Sequence, residues 1–465
     1  MKGASLLARF GGAPALTRKE ALQGFGRWPE LTSEDTAALV AVLQSAEEPY
    51  GFLHSEVLAL QQAYAEFVGA PHCLAVSSGT AALHLAIAAV GAEAGDEIIT
   101  PALGYIASAA CALHHNCIPV FADVDPQTFN LDPKLVEEAI TPRTRALIAV
   151  DLLGLPAAYD ELEAIAQRHG IAIVSDASHS QGAQYRGRRC GSLGDVAAMS
   201  VMPTKNLAGS GEGGLIATRS DAVMARVLGH ASMGMNLWGQ DREQIERVSY
   251  QLGFNYRPTP TSAAVLKSQL ARLPHYHEAR QERARVITEC ISRIRFLRAP
   301  SVPRGSTHAW QMYRVVVVPE ALGLPPEWAR HLRDAVVFLL RAEGGPVGFW
   351  EDQVLPAMPV FQNRVGYGRG YPWACSAGPM PDYDPAGFPV AAHVIDASFM
   401  APLTRATHTL DFVKRHTKPY EKLAEHGELI AQLTADIAEA GGFETWSGTS
   451  IRNERALRNK VLEWA

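Results

Sequence analysis

Cysteine is sparse and unpatterned in this chain. Six residues (Cys73, Cys111, Cys117, Cys190, Cys290 and Cys375) are scattered over 465 positions without a C-x-x-C pair. That spacing excludes a disulfide framework or a zinc ribbon and leaves reduced thiols in a cytoplasmic protein as the plain reading. Long apolar runs are missing too. No stretch of about 18 uninterrupted apolar residues occurs, which speaks against a membrane span. The opening MKGASLLARFGG holds only a short apolar patch broken by Arg9 and is read as no signal peptide. No block of Lys and Arg stands out, and the formal charge of −6 is mild for this length. Nucleic acid and anionic membranes are therefore not expected partners. No metal is expected either. His114 and His115 are adjacent, and neighbouring helical residues point about 100° apart, so the two cannot readily clamp one ion.

What is present describes a globular chain. Hydrophobic residues make up 47% and charged residues 19% of the sequence, ordinary values for a packed core. The length suggests two or three domains. Thr32 or Ser33 can cap a helix running to Leu43, and Glu56–Phe67 reads as a second helix. From Leu74 onward short apolar runs alternate with amphipathic segments. Strands are expected at Leu74–Val76, Glu97–Thr100, Ile118–Asp123, Ala146–Asp151, Ile171–Ser175 and Val196–Val201. Helices are expected at Ala81–Val90, Ile106–His114, Pro133–Ile140 and Asp160–His169. This is the rhythm of βαβ units and predicts an α/β fold with a mostly parallel sheet covered on both faces. Beyond Gly213 the pattern loosens. A long helix over 261–296, a strand at Tyr313–Val318, a helix at Glu327–Glu343 and a further helical stretch near 418–440 follow. Residues 345–390 are rich in Gly, Pro, Tyr and Trp and predict an ordered irregular loop whose aromatics have something to bury.

Four features fall where such a sheet binds ligands, beyond the carboxyl ends of its strands. SSGTAAL at 77–83 combines Gly79, which lets the backbone turn closely, with Thr80, which can cap a helix starting at Ala81. Free N–H groups there would seat a phosphate, although a plain N-cap would read the same. Asp176 ends an apolar strand, with His179 three residues on. Ser200 precedes Lys205 in the turn VMPTKNLAGSGEGG. Tyr105 follows another strand and can stack on a flat ligand. The lysine stands before its glycines, the reverse of a nucleotide P-loop. A nicotinamide oxidoreductase needs G-x-G-x-x-G between the first strand and its helix, and SSGTAAL at that place lacks it. Phosphate seat, stacking ring, strand-end carboxylate and lone lysine together match what a pyridoxal phosphate enzyme needs.

From about residue 50 to 285 the chain resembles the DegT-like sugar aminotransferases of fold-type I. The resemblance is carried by SSGTAALHLA, GDEIITPAL, PVFADVDPQTFNLDP, ITPRTRALIAVDLLGLPAAYDEL, HGIAIVSDASHSQGA, GSLGDVAAMS, PTKNLAGSGEGG and GFNYRPT, and more loosely by FGGAPAL and HAWQMYRVVV. It implies an N-terminal segment over 1–50, a large cofactor-binding domain over 51–260 with a seven-stranded, mostly parallel sheet, and a connecting helix with a smaller C-terminal α/β domain over 261–465. It also implies Lys205 as the Schiff-base lysine, Asp176 as partner of the pyridinium nitrogen, and His179 against the ring. Gly79, Thr80 and Ser200 would hold the phosphate and Tyr105 would stack on the ring. Asn255 would reach the phosphate of a neighbouring subunit, so a homodimer with shared active sites is implied. Glu212 is read as structural. The activity implied is transfer of an amino group from glutamate or glutamine to a keto-sugar, keto-cyclitol or related ketone, in secondary metabolism. A pyridoxal phosphate lyase, dehydratase or racemase is the alternative, and a cofactor-binding sensor a more distant one. The dehydratase branch of the family carries histidine in place of the lysine, which Lys205 disfavours here. The sequence departs from the family at Ser175, where an acid is usual, and across Ser178–Gln181. It departs again in the expanded loop at about 345–415, where Gly345–Trp350 lacks a histidine common in sugar-specific members.

Overall fold

The computed structural model describes residues 6–47, 51–239 and 248–452. Its centre is a seven-stranded sheet. In chain order the strands are β1 (His72–Val76), β2 (Glu97–Pro101), β3 (Ile118–Ala122), β4 (Thr144–Val150), β5 (Ala172–Asp176), β6 (Val196–Ser200) and β7 (Gly214–Thr218). Their order across the sheet is β1-β7-β6-β5-β4-β2-β3. β7 runs antiparallel to both of its neighbours, and the other pairings are parallel. The parallel strands are buried on both faces, and this is why they read as continuous apolar runs rather than as alternation. β7 is the strand that the sequence pattern does not announce. GLIAT follows a glycine-rich turn with no intervening helix, and a returning antiparallel strand needs none.

The helix Pro260–Ile291 spans about 48 Å at 1.5 Å per residue. It leads to a three-stranded antiparallel sheet of Leu297–Arg298, Arg314–Val317 and Ser398–Met400. Between the last two of these strands lies the Gly/Pro/aromatic-rich segment, and its aromatics do pack. Phe361, Tyr383 and Phe388 meet Phe121 of the edge strand β3 at ring separations of 5.0, 5.6 and 6.1 Å. Tyr383 Oη donates to Pro119 O at 2.9 Å. The Asp123 carboxylate accepts from the N–H groups of Val390 and Ala391, both at 2.8 Å, at the start of the helix Pro389–Asp396. The loop thus covers an edge that would otherwise be open to pairing with another chain. Thr32, not Ser33, caps the first long helix, through a capping box with Asp35. No described helix is long and apolar enough to cross a membrane.

Several histidines are held neutral by this packing. Burial pushes His84 and His308 down to about 3 and His408 to about 4. An unfolded histidine titrates near 6.5, so the unfolded chain takes up protons first as pH falls. The stability these groups contribute is complete above about 6.5 and is lost progressively below it, at about 1.4 kcal/mol per pH unit for each neutral histidine. Urea denaturation at pH 7.5, 6.0 and 5.0 is expected to give falling free energies of unfolding, with a shallower dependence in His84→Asn. A flat profile would contradict this.

Candidate active site

A cleft of about 870 Å³ opens where the carboxyl ends of β1, β2, β4, β5 and β6 meet the small sheet. Gly79, Thr80, Tyr105, Asp176, His179, Ser200 and Lys205 all line it, so seven of the eight residues expected from the sequence share one cavity.

The β1 end leads into the helix Gly79–Ala89, whose N-cap is Ser78: its Oγ accepts from Ala81 N at 3.0 Å. This corrects the expectation that Thr80 caps the helix. The helix begins two residues earlier than the apolar pattern shows, so the capping position falls on Ser78 and Thr80 stands in the first turn. The N–H groups of Gly79 and Thr80 have no acceptor among the described residues, and such orphan donors at a helix start attract anions. Contact between the start of this helix and strands β6 and β7 is close. A Cβ on Gly79 would lie 2.5 Å from Ser200 Cβ, and one on Gly214 2.3 Å from Ser78 O. Only glycine permits either approach.

Asp176 is the last residue of β5 and is buried. Ser108 Oγ donates to its Oδ2 at 2.8 Å and Ser178 N to its Oδ1 at 3.2 Å. His179, also buried, receives a hydrogen bond from Leu153 N at Nδ1, 3.3 Å. Burial, then the charge of Lys205, pushes its pKa well below the usual range, so the ring is neutral and Nε2 carries the proton. Tyr105 is exposed at the rim.

The turn carrying Lys205 is clamped at several points. Gln181 donates through Nε2 to Ser200 O and accepts from Leu207 N through Oε1, both at 2.6 Å. Trp28 Nε1 donates to Lys205 O at 3.0 Å, Gln311 Nε2 to Thr204 O at 2.8 Å, and Asn206 Nδ2 to Ala309 O at 2.9 Å. The amine itself has no hydrogen bond or ion pair among the described residues. Burial lowers its pKa, while the charges of Asp176 and Glu212 oppose that shift. Glu212, read from the sequence as structural, is thus exposed at the cleft wall and acts on the lysine.

Asn255 lies outside this cleft. It is exposed, bridges to Ser232, and precedes Tyr256, whose carbonyl accepts from Ser77 N at 3.0 Å. Trp28, Ser108, Gln181, Arg280 and Gln311 were not singled out from the sequence. Gln311 stands inside a motif that resembles the family and Gln181 ends the segment that departs from it, whereas nothing local marks Trp28. Ser175, the departure from an acid, hydrogen-bonds the Tyr159 hydroxyl at 2.7 Å. That hydroxyl donates to Asp151 at 2.9 Å. The buried acid of this corner is therefore Asp151, whose pKa burial pushes up to about 6. Among the described residues no group of three or more His, Cys, Asp or Glu is arranged to hold a metal ion.

The model of the DegT/DnrJ/EryC1/StrS aminotransferase family matches residues 29–370. The chain belongs to this family. L-glutamine:2-deoxy-scyllo-inosose aminotransferase of Streptomyces paromomycinus is 38% identical over 295 residues, covering 62% of this chain and 68% of that protein. GDP-perosamine synthase of Caulobacter vibrioides is 37% identical over 261 residues, covering 56% and 68% respectively. Among solved structures, S. venezuelae DesV in complex with a ketimine intermediate aligns with a TM-score of 0.71 at 27% identity, over 87% of this chain and 99% of its own. This DegT-family protein is an aminotransferase built on the fold of these enzymes.

The Gln181 clamp is testable without a substrate. Gln181→Ala leaves Ser200 O and Leu207 N without their side-chain partner, and is expected to lower the free energy of unfolding by about 1–3 kcal/mol. Denaturant titration measures it, and an unchanged midpoint would show that the clamp contributes nothing.

Proposed function

We propose that this aminotransferase uses pyridoxal 5′-phosphate to move an amino group from glutamine or glutamate to the ketone of a sugar or cyclitol, in the biosynthesis of a secondary metabolite. The observation that carries this is the meeting, in one cleft, of an unpaired lysine amine, a buried carboxylate and two unused N–H groups at a helix start. The residues fit the cofactor. A Cβ at position 79 would fill the space beside Ser200, and the orphan donors of Gly79 and Thr80 are where a phosphate sits well. The names of the two relatives support a carbocyclic or sugar ketone as acceptor, and one of them names glutamine as donor.

Pyridoxal phosphate supplies an aldehyde that can carry an amino group and a protonated ring that takes up the electron pair released at the donor α-carbon. Gly79 N, Thr80 N and the hydroxyls of Thr80 and Ser200 would hold the phosphate. The Asp176 carboxylate would accept a hydrogen bond from the ring nitrogen and keep it protonated. Its own orientation is fixed by Ser108 and Ser178, so it needs no rearrangement during the reaction. Neutral His179 offers its Nε2–H to the ring's substituents. Tyr105, at the rim of the cleft, would stack on the ring. Lys205 Nζ would take the proton from the donor α-carbon and deliver it to the carbon of the cofactor's aldehyde group, and its lowered pKa keeps more of the free amine available for that.

Asn255 is exposed outside its own cleft, and Leu252 near it is 81% exposed. This supports a homodimer in which Asn255 completes the phosphate seat of the partner. A mixture of Lys205→Ala and Asn255→Ala proteins, refolded together, is then expected to regain activity through one intact site per mixed dimer; activity no higher than that of the separate variants would refute sharing.

The purified protein loaded with pyridoxal phosphate is expected to be coloured, and its visible band should shift on adding L-glutamine or L-glutamate. Lys205→Ala is expected to lower turnover by about 10³-fold or more, since acid–base catalysis alone contributes about 10²–10⁴. A spectrum indifferent to both donors, or full turnover in the variant, would overturn the proposal.

A further inference from the structure

One charge in the cleft is unaccounted for. Arg280, on the helix Pro260–Ile291, is 2% exposed and yet meets no carboxylate. Its Nη1 donates to the carbonyls of Trp310 (3.1 Å) and Thr404 (3.5 Å). Its Nε is buried without an acceptor, and Nη2 donates to nothing among the described residues. The guanidinium lies 5.0 Å over the ring of Trp28. Arg405 is the next cation. It is exposed, rests 5.8 Å over the ring of Phe25, and forms no ion pair among the described residues. Both arginines line the cleft.

Other buried arginines are treated differently. Arg314 is paired with Glu351 and Arg333 with Asp334. For Arg280 burial, then Arg405 and Arg283, all push the pKa down, to about 9, and no acid opposes them. The carboxylates of the cleft, Asp176 and Glu212, act on Lys205 instead. A desolvated cation without a counter-charge is costly to a fold. A planar guanidinium with a free edge, beside a second one, is suited to an oxyanion. Position adds to this. Trp28 links the Arg280 guanidinium to the backbone of Lys205, so the arginine stands one side chain from the turn that carries the amine.

We propose that Arg280 and Arg405 form an oxyanion subsite of this cleft, which takes a carboxylate or phosphate of a substrate. The inference rests on the aminotransferase reading for its substrates. Two sources share the chemistry: the α-carboxylate of the amino donor, and an anionic group carried by the ketone acceptor. Arg405→Gln removes an exposed side chain that no ion pair needs, so it tests the subsite without disturbing the fold; Arg280→Lys keeps the charge and removes the planar fork.

The test uses the protein loaded with pyridoxal phosphate. The apparent dissociation constant and limiting rate for L-glutamine and L-glutamate are read from the visible band, and binding of inorganic pyrophosphate is read by calorimetry. A rise of about tenfold or more in the donor constant in both variants, with the limiting rate little changed, assigns the subsite to the donor carboxylate. Unchanged donor constants with pyrophosphate binding weakened by a similar factor assign it to the acceptor's anion. If neither constant moves in either variant, the proposal is overturned. Failure of the aminotransferase reading looks different, because the wild-type band would then ignore both donors while pyrophosphate binding could still be lost with Arg405.

Discussion

Two neighbouring parallel strands carry the site. β5 and β6 pair with Asp176 opposite Ala198, so the strand that ends in the carboxylate and the strand that leads to Lys205 finish side by side at one edge. The helix start at Gly79 then presses against Ser200 on that edge, at a distance that no side chain on residue 79 would allow. Everything else in the cleft is support for this arrangement. Ser178 and Gln181, from the turn after β5, grip the end of β6 and the turn beyond it. The turn after β5 therefore ties the strand end that bears the carboxylate to the turn that bears the amine.

Support also comes from far along the chain. Trp28, near the beginning, and Ala309 and Gln311, just before the middle strand of the small sheet, hold the backbone of Thr204, Lys205 and Asn206. The lysine turn is thus fixed by three separate parts of the molecule while its amine is left unpaired. Rigid backbone with a free reactive group is the form of preorganisation that proton transfer needs, because the geometry is already set before substrate arrives. The distribution of charge follows the same division. Acids act on Lys205 at one place in the cleft, and two arginines stand without acids at another.

Much of this was legible in the sequence, and the reasons are specific. Parallel strands buried on both faces leave unbroken apolar runs, so β1 to β6 could be found, and strand-end residues such as Asp176 and Lys205 are read directly once the strands are known. β7 escaped because an antiparallel return needs no helix to announce it. Thr80 was given the cap that belongs to Ser78, because alanine-rich sequence conceals where a helix begins. Trp28 and Arg280 reach the cleft only through tertiary packing, and no local spacing encodes such contacts. The replacement at Ser175 becomes intelligible in three dimensions, where Tyr159 and Asp151 occupy the corner with a buried hydroxyl and acid.

The central claim is that one lysine of this chain, Lys205, bonds to the cofactor. Borohydride treatment of the protein loaded with pyridoxal phosphate, followed by peptide mass spectrometry, tests it most directly. The account predicts a phosphopyridoxyl mass increment on the peptide containing Lys205 and its disappearance in Lys205→Ala. An increment on a different lysine, or none on a folded and loaded protein, would contradict it.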